Sequence, residues 1–166
     1  MEALAHLPLA VVVVAAADDG ARSCSTGTAG YVSYEPELVV TPLSLRSRTG
    51  ALARSSGELS ITVLSTAQAE LAVRAASPAE HDSFAEQQIE PLEPPAGRSA
   101  PGIAGGVTTI WCDVESVLET ASSMLVVGRV VSTVVRDEHE PLLRYRRRYH
   151  ALGAAIGVAA EAAYPL

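Results

Sequence analysis

With 166 residues and a formal charge of -7, the chain fits a single domain whose size allows a real apolar core without crosslinks. Hydrophobic residues make up 48% and charged ones 19%, which excludes intrinsic disorder. The acidic balance, with 12 cations against 19 carboxylates, excludes the global basic field of a nucleic-acid binder. All the cations are arginines, and aromatic residues are only 4%, so Val, Leu and Ala must fill the core.

The run Leu9 to Ala17 followed by Asp18-Asp19-Gly20 reads as a buried strand ending in a turn. It is too short for a membrane span. With Glu2 in place of a positive leader it does not read as a signal peptide, so a soluble, cytoplasmic protein is expected. Ser23 to Ser33 is a stretch of small and hydroxyl side chains and reads as a turn-rich connection, which places Cys24 in a loop. Glu37 to Ser44 reads as a strand limited by Pro36 and Pro42. Arg48 to Ser56 reads as a short helix stopped by Gly57. In Leu59 to Leu64 the residues alternate, with Leu59, Ile61 and Val63 on one side and Ser60 and Thr62 on the other.

Ser65 to Ala76 carries the best helix signal, because Ser65 and Gln68 stand at capping-box spacing. Ser77 to Gly106 holds five prolines and four glycines. It reads as a surface excursion with a short helix near Glu80 to Gln88, a place for a lid or a dimer arm. Two long strands follow, Val107 to Leu118, which holds Cys112, and Met124 to Val135. The second is apolar on both faces, with Met124, Val126, Val130 and Val134 opposite Leu125, Val127, Val131 and Val135. One face is expected to fill a barrel and the other to meet a helix or a second subunit. Asp137 to Glu140 reads as a solvated turn. Arg144 to Arg148 is either an edge strand protected by charge or, if extended, a row of Arg144, Arg146 and Arg148 facing the phosphates of a dinucleotide.

The pattern as a whole predicts an all-β fold with flanking helices. There is no GxGxxG or GxxxxGK[ST] glycine signature, no Gly-x-Ser-x-Gly elbow and no zinc spacing among His6, His81, His139 and His150, so no metal is expected. Cys24 and Cys112 lack a CxxC spacing and are expected to be reduced thiols.

The order of these segments resembles the flavin reductase family with the FMN-binding split β-barrel, over about His6 to Gly153. Ser25-Thr26-Gly27-Thr28 and the block Val32 to Val39 around Glu35-Pro36 resemble the family's Thr-Ala-Ser and Ser-x-x-Pro-Pro-Leu segments. Leu43 to Thr49 resembles its flavin-phosphate loop. Val126-Val127-Gly128-Arg129-Val130 falls on its Gly-Glu-Val strand, and Pro141 to Leu152 on its closing Gly-Arg-Tyr-His element.

The resemblance implies a six-stranded antiparallel Greek-key split β-barrel over residues 1–153, with 154–166 an Ala-rich tail or short helix. It further implies a cytoplasmic homodimer and an NAD(P)H:flavin oxidoreductase activity that supplies reduced flavin to a partner monooxygenase. FMN (or FAD) would be held by Ser25, Thr26, Gly27, Thr28, Ser44, Arg46, Ser47 and Thr49. The NADH or NADPH side would be shaped by Ser123, Arg148, Tyr149 and His150. An N-terminus of a helix at Arg48 would add N–H groups for the phosphate. No catalytic acid or base is assigned, since the cofactor carries the hard chemistry. Ala121-Ser122-Ser123 stand where the family has Gly-Asp-His. That departure motivates an alternative: a flavin- or ligand-binding homologue without reductase activity, serving for example a specialised biosynthetic pathway.

Overall fold

The computed structural model describes residues 3–155, so the expected Ala-rich tail lies almost wholly outside the described residues. After a 3-10 turn at Ala3–His6, the elements are β1 (Leu9–Ala10), β2 (Val12–Asp18), β3 (Ala21–Gly27), β4 (Gly30–Tyr34) and β5 (Glu37–Ser44). Helix α1 (Arg48–Ser56), β6 (Glu58–Val63), α2 (Ala69–Ala75) and α3 (Ser83–Glu86) follow. The rest comprises β7 (Pro91–Leu92), β8 (Gly102–Ile103), β9 (Thr108–Glu119), β10 (Ser123–Val135), β11 (Leu143–Tyr145) and β12 (Arg148–His150). Among the described residues no helix is long and apolar enough to cross a membrane.

The main sheet is antiparallel with order β3-β2-β6-β9-β10-β5-β4. Six of these strands make the expected split barrel, and β3 approaches β5 where the Thr41 hydroxyl donates to the Thr28 carbonyl at 2.9 Å. The chain leaves β5, crosses the barrel against β2 and β3 as α1, and returns as β6 beside β2, which is the Greek-key step. The seventh strand, β4, hangs on β5 through a bulge between Tyr31 and Ser33. It accounts for the one strand beyond the expected six.

Valine- and alanine-rich β2 is buried on both faces, and each face serves a different core. Val12, Val14 and Ala16 point into the barrel with Leu59, Ile61, Met124 and Val126. Val11, Val13 and Ala15 point outward against Leu64, Ala72, Phe84 and Ile103. Both expected helix signals appear at their positions. Ser47 caps α1 by accepting from Gly50 N at 2.8 Å, and Gly57 ends it at φ 74°, a conformation glycine reaches without strain. The Ser65/Gln68 capping box is formed, but it opens a 3-10 turn at Thr66–Gln68 before α2 begins at Ala69.

Four expectations change. Ser23 to Ser33 is mostly strand, so Cys24 lies in β3; edge pairing to β2 outweighs the low strand propensity of Ser and Gly. The segment from Ser77 to Gly106 is not a lid. Its Ala100, Ile103, Phe84 and Ile89 are buried, and it seals the outer face of β6, where Pro101 O accepts from the Ser60 hydroxyl at 2.6 Å. Ala100 O accepts from Trp111 Nε1 at 2.9 Å. In β10 a register shift between Val130 and Ser132 breaks the alternation, so Val134 no longer shares the face of Met124, and both Val134 and Val135 are exposed. Finally, Arg144 to Arg148 is not one extended run. Arg146 and Arg147 form a two-residue turn with φ of 50° and 63°, the signature of a type I′ hairpin. For residues with a Cβ this left-handed region costs roughly 1–2 kcal/mol each.

Candidate functional site

A cleft of about 270 Å³ opens where β1, the end of β3, β5 and the β11–β12 hairpin meet. Its polar side is Thr26, Gly27 and Thr28, with Pro42 behind them and Leu9 at the rim. Arg144 and Tyr149 close the opposite side. Thr26 Oγ1 donates to Ala72 O at 2.7 Å, and the Thr28 carbonyl is taken by Thr41. Those side-chain bonds leave the backbone of β3 as the polar surface on offer. β3 is an edge strand of the sheet, so half its amides lie outside any ladder. Gly27 adds no side chain between that backbone and a ring.

Register explains why one tyrosine of the closing element reaches the cleft. Leu9 pairs with Arg144 and Arg144 with Tyr149, so these three share a face. Arg148 and His150, one residue to either side of Tyr149, must point the other way. There His150 Nε2 lies 3.2 Å from Tyr145 O, and the Tyr145 ring meets those of His150 and His6 edge-on at 6.1 and 5.9 Å.

The second hydroxyl-rich segment begins one strand-repeat past Pro42 and does not line the cleft. Ser44 stands opposite Ser123 in the β5–β10 pairing. The Ser44 hydroxyl accepts from Arg46 N at 3.2 Å. Ser47 is committed to the α1 cap, and Thr49, 1% exposed, shares a hydrogen bond with the Ser23 hydroxyl at 3.0 Å. Arg46 is exposed, and the Arg48 guanidinium donates to Glu80 O at 2.8 Å. Ser123 closes its own turn, its carbonyl accepting from Thr120 N at 2.7 Å. Ser25 is half-buried in β3 and outside the cleft lining.

Of the residues singled out in the sequence, then, Thr26, Gly27, Thr28 and Tyr149 converge. Arg144 joins them, although it was set among the candidate phosphate contacts only as part of an extended row. The signal for its placement was missing, because a hairpin turning on Arg146-Arg147 carries none of the usual Asn-Gly marks.

Neither thiol belongs to the site. Burial pushes Cys24 up to about 11 and Cys112 up to about 12. Among the described residues that line the cleft, Arg144 and Tyr149 are the ionisable ones. The arrangement therefore offers a cleft with edge-strand amides, one aromatic side chain and one fixed positive charge. This donor set suits an electron-poor planar ring bearing carbonyl groups. A flavin, when bound, supplies the redox chemistry itself. Thr26 to Thr28 and Tyr149 would hold it, and Arg144 would meet negative charge.

Comparison with known proteins agrees with this geometry. The flavin reductase like domain matches residues 4–153. The chain is 32% identical over 142 residues to HsaB, the reductase subunit of a flavin-dependent monooxygenase from Rhodococcus jostii, covering 84% of this chain and 69% of that protein. It is 31% identical over 153 residues to a flavin reductase of Pseudomonas putida, covering 91% and 87%. It is 27% identical over 163 residues to an actinorhodin polyketide dimerase of Streptomyces coelicolor, covering 97% and 89%. Among solved structures, a Streptomyces globisporus NADH:FAD oxidoreductase in complex with NAD and FAD fragments shares the fold at a TM-score of 0.84 and 19% identity, covering 93% and 92%. With a matching domain model over nearly all of its length, relatives above 30% identity and a barrel whose cleft suits a planar ring, this chain belongs to the flavin reductase-like domain family.

Proposed function

We propose that the protein is an NAD(P)H:flavin oxidoreductase that takes up FMN, receives hydride from NADH or NADPH, and passes reduced flavin to a separate monooxygenase. The observation that carries this reading is the convergence of Thr26-Gly27-Thr28 with Tyr149 across one slot, from chain segments more than a hundred residues apart. In this reading the backbone amides at the end of β3 face the carbonyl edge of the ring and stabilise charge gained on reduction. Tyr149 covers one face and keeps water away. Ser25, Ser44, Arg46, Ser47 and Thr49 supply the outer part of the flavin site, with Ser47 and Thr49 acting by shaping the loop. Ser123, Arg148 and His150 border the nicotinamide side across a homodimer. Buried, reduced thiols suit a cytoplasmic setting.

The test is anaerobic. The purified protein with FMN is expected to bleach when NADH or NADPH is added, and Tyr149→Ala is expected to weaken flavin binding about ten-fold through loss of a stacked wall. An absence of turnover with either nucleotide, FMN or FAD sinks the reading. A second reading is favoured by two observations: the polyketide dimerase among the relatives, and the Ala121-Ser122 segment, which puts no ionisable group beside Ser123. In it the protein binds flavin in the same slot without oxidising nicotinamide, and tight FMN binding without bleaching selects it.

A further inference from the structure

The cleft volume of about 270 Å³ lies below the roughly 300–1,000 Å³ that a drug-sized ligand fills. On the reading just given, a ring system occupies it and the phosphate-bearing remainder of a dinucleotide must run outside. The hairpin provides a route. Arg144 lines the cleft and also a second hollow, shared with Leu4, Leu7 and Arg147. Arg147 continues into a third, with His6 and Arg146. Among the described residues no carboxylate lines any of the three, although the chain carries 19 acidic residues. Arg22, Arg54, Arg98 and Arg129 are ion-paired and Arg48, Arg74 and Arg136 donate to carbonyls; among the described residues the side chains of Arg144, Arg146 and Arg147, like those of Arg46 and Arg148, do neither.

The backbone adds an independent observation. Arg146 and Arg147 occupy two consecutive left-handed positions, φ 50° and 63°, where Asn-Gly would sit without strain. The turn is held in place by Arg146 N, which donates to Ala5 O at 2.7 Å. Strained backbone that persists at the mouth of a site points to function. A net charge of -7 makes three unpaired guanidiniums in a row a local reversal of the protein's field.

We infer that Arg144, Arg147 and Arg146 form a phosphate track that leads the adenosine phosphates of a dinucleotide, pyridine or flavin, out of the cleft and along the β11–β12 hairpin. Guanidinium groups suit this role because their planar fork bonds phosphate oxygens in pairs. FMN reaches no further than Arg144, so the Arg146 and Arg147 part of the track adds nothing to it.

The experiment is calorimetric titration with FMN, FAD, NADH and NADPH, using the wild-type chain, Arg144→Gln, and the double variant Arg146→Asn/Arg147→Gly. The double variant installs the preferred turn, so it is expected to melt no lower than wild type, which separates lost charge from lost folding. At least one dinucleotide is expected to bind both variants about ten-fold more weakly, with a shallower salt dependence, and FMN is expected to change less than two-fold in the Arg146/Arg147 double variant. Loss confined to FAD assigns the flavin diphosphate. Loss confined to NADPH assigns its 2′-phosphate, and equal loss for NADH and NADPH assigns the pyridine dinucleotide's diphosphate. The track is overturned if all four ligands bind the variants within two-fold of wild type, or if FMN weakens as much as the dinucleotides in the Arg146/Arg147 double variant. If wild type ignores both flavins yet binds a pyridine dinucleotide through the arginines, the flavin reading fails and the track stands. If it binds none of the four, both fall.

Discussion

Gly128 sits in β10 directly over Cys112. A Cβ there would lie 2.7 Å from the Cys112 Cβ and 3.1 Å from its sulfur, both atoms of a buried residue in β9, which is flanked by β6 and β10. Gly128→Ala is therefore expected to destabilise by about 1–3 kcal/mol through overpacking, read as a lower denaturant midpoint with an unchanged slope. A midpoint equal to wild type would mean that the β9–β10 bulge beside it absorbs the methyl group. The sulfur beneath is protected by the same packing. With Cys24 pushed up to about 11 and Cys112 to about 12 by burial, both thiols stay protonated at pH 8. A thiol reagent is expected to label the native protein only at the rate of unfolding, and fast labelling of either cysteine would contradict the burial.

At the scale of elements, one carboxylate gathers the Arg98–Ala100 stretch of the strap between α3 and β9. Glu58, at the start of β6, accepts from Ser99 N at 2.6 Å and Ala100 N at 3.0 Å, from the Ser99 hydroxyl, and from Arg98 Nη1 at 3.3 Å. Arg98 also bonds Asp113. Burial alone would raise the Glu58 carboxyl, but these bonds more than offset it and hold the group below its ordinary range. Asp113 is lowered chiefly by its hydrogen bond from Arg98. Groups lowered on folding add stability at neutral pH, and that contribution is lost as pH falls through the carboxylate range toward their folded values. Unfolding free energy is thus expected to decline below about pH 4.5, with a shallower decline in Glu58→Ala. That variant should also lose roughly 1–3 kcal/mol at neutral pH through the orphaned donors. An acid slope identical in both proteins would show that the strap is held by Ile103 and Trp111 packing instead.

For the whole molecule, the surface beside β4 is the feature that calls for a partner. Tyr31 and Tyr34 stack at 5.0 Å and 19° while both are exposed. Val32 in the same strand is exposed as well, and Leu38, Val39 and Val130 line a shallow groove beside the two tyrosines. Under the homodimer proposal, sedimentation equilibrium gives twice the chain mass, and Tyr31→Asp shifts it to monomer; a wild-type monomer at micromolar concentration ends that proposal. Flavin should act on the same scale. FMN at about 100 times its dissociation constant is expected to stabilise the folded state by roughly 2.7 kcal/mol, seen as a rise of several degrees in melting temperature.

Local signals carried much of this architecture. Gly57 stops α1, the Ser65/Gln68 box opens the next helical segment, and the two long apolar strands lie within one residue of their expected starts and ends, because caps and strand alternation act over a few neighbouring residues. The family resemblance likewise rested on segment order, which the chain alone displays. Other features required the folded molecule. That Ser23 to Gly27 is a strand follows from β2 lying alongside it. That the proline-rich stretch seals the barrel instead of opening it follows from Ser60 and Trp111, which offer it hydrogen bonds. The separation of Tyr149 from Arg148 and His150 depends on a register set by Leu9. A slip of one residue would exchange the faces, and no local pattern encodes it. The residue types of the cleft were readable from the chain, but which of them meet was decided by pairing between strands more than a hundred residues apart.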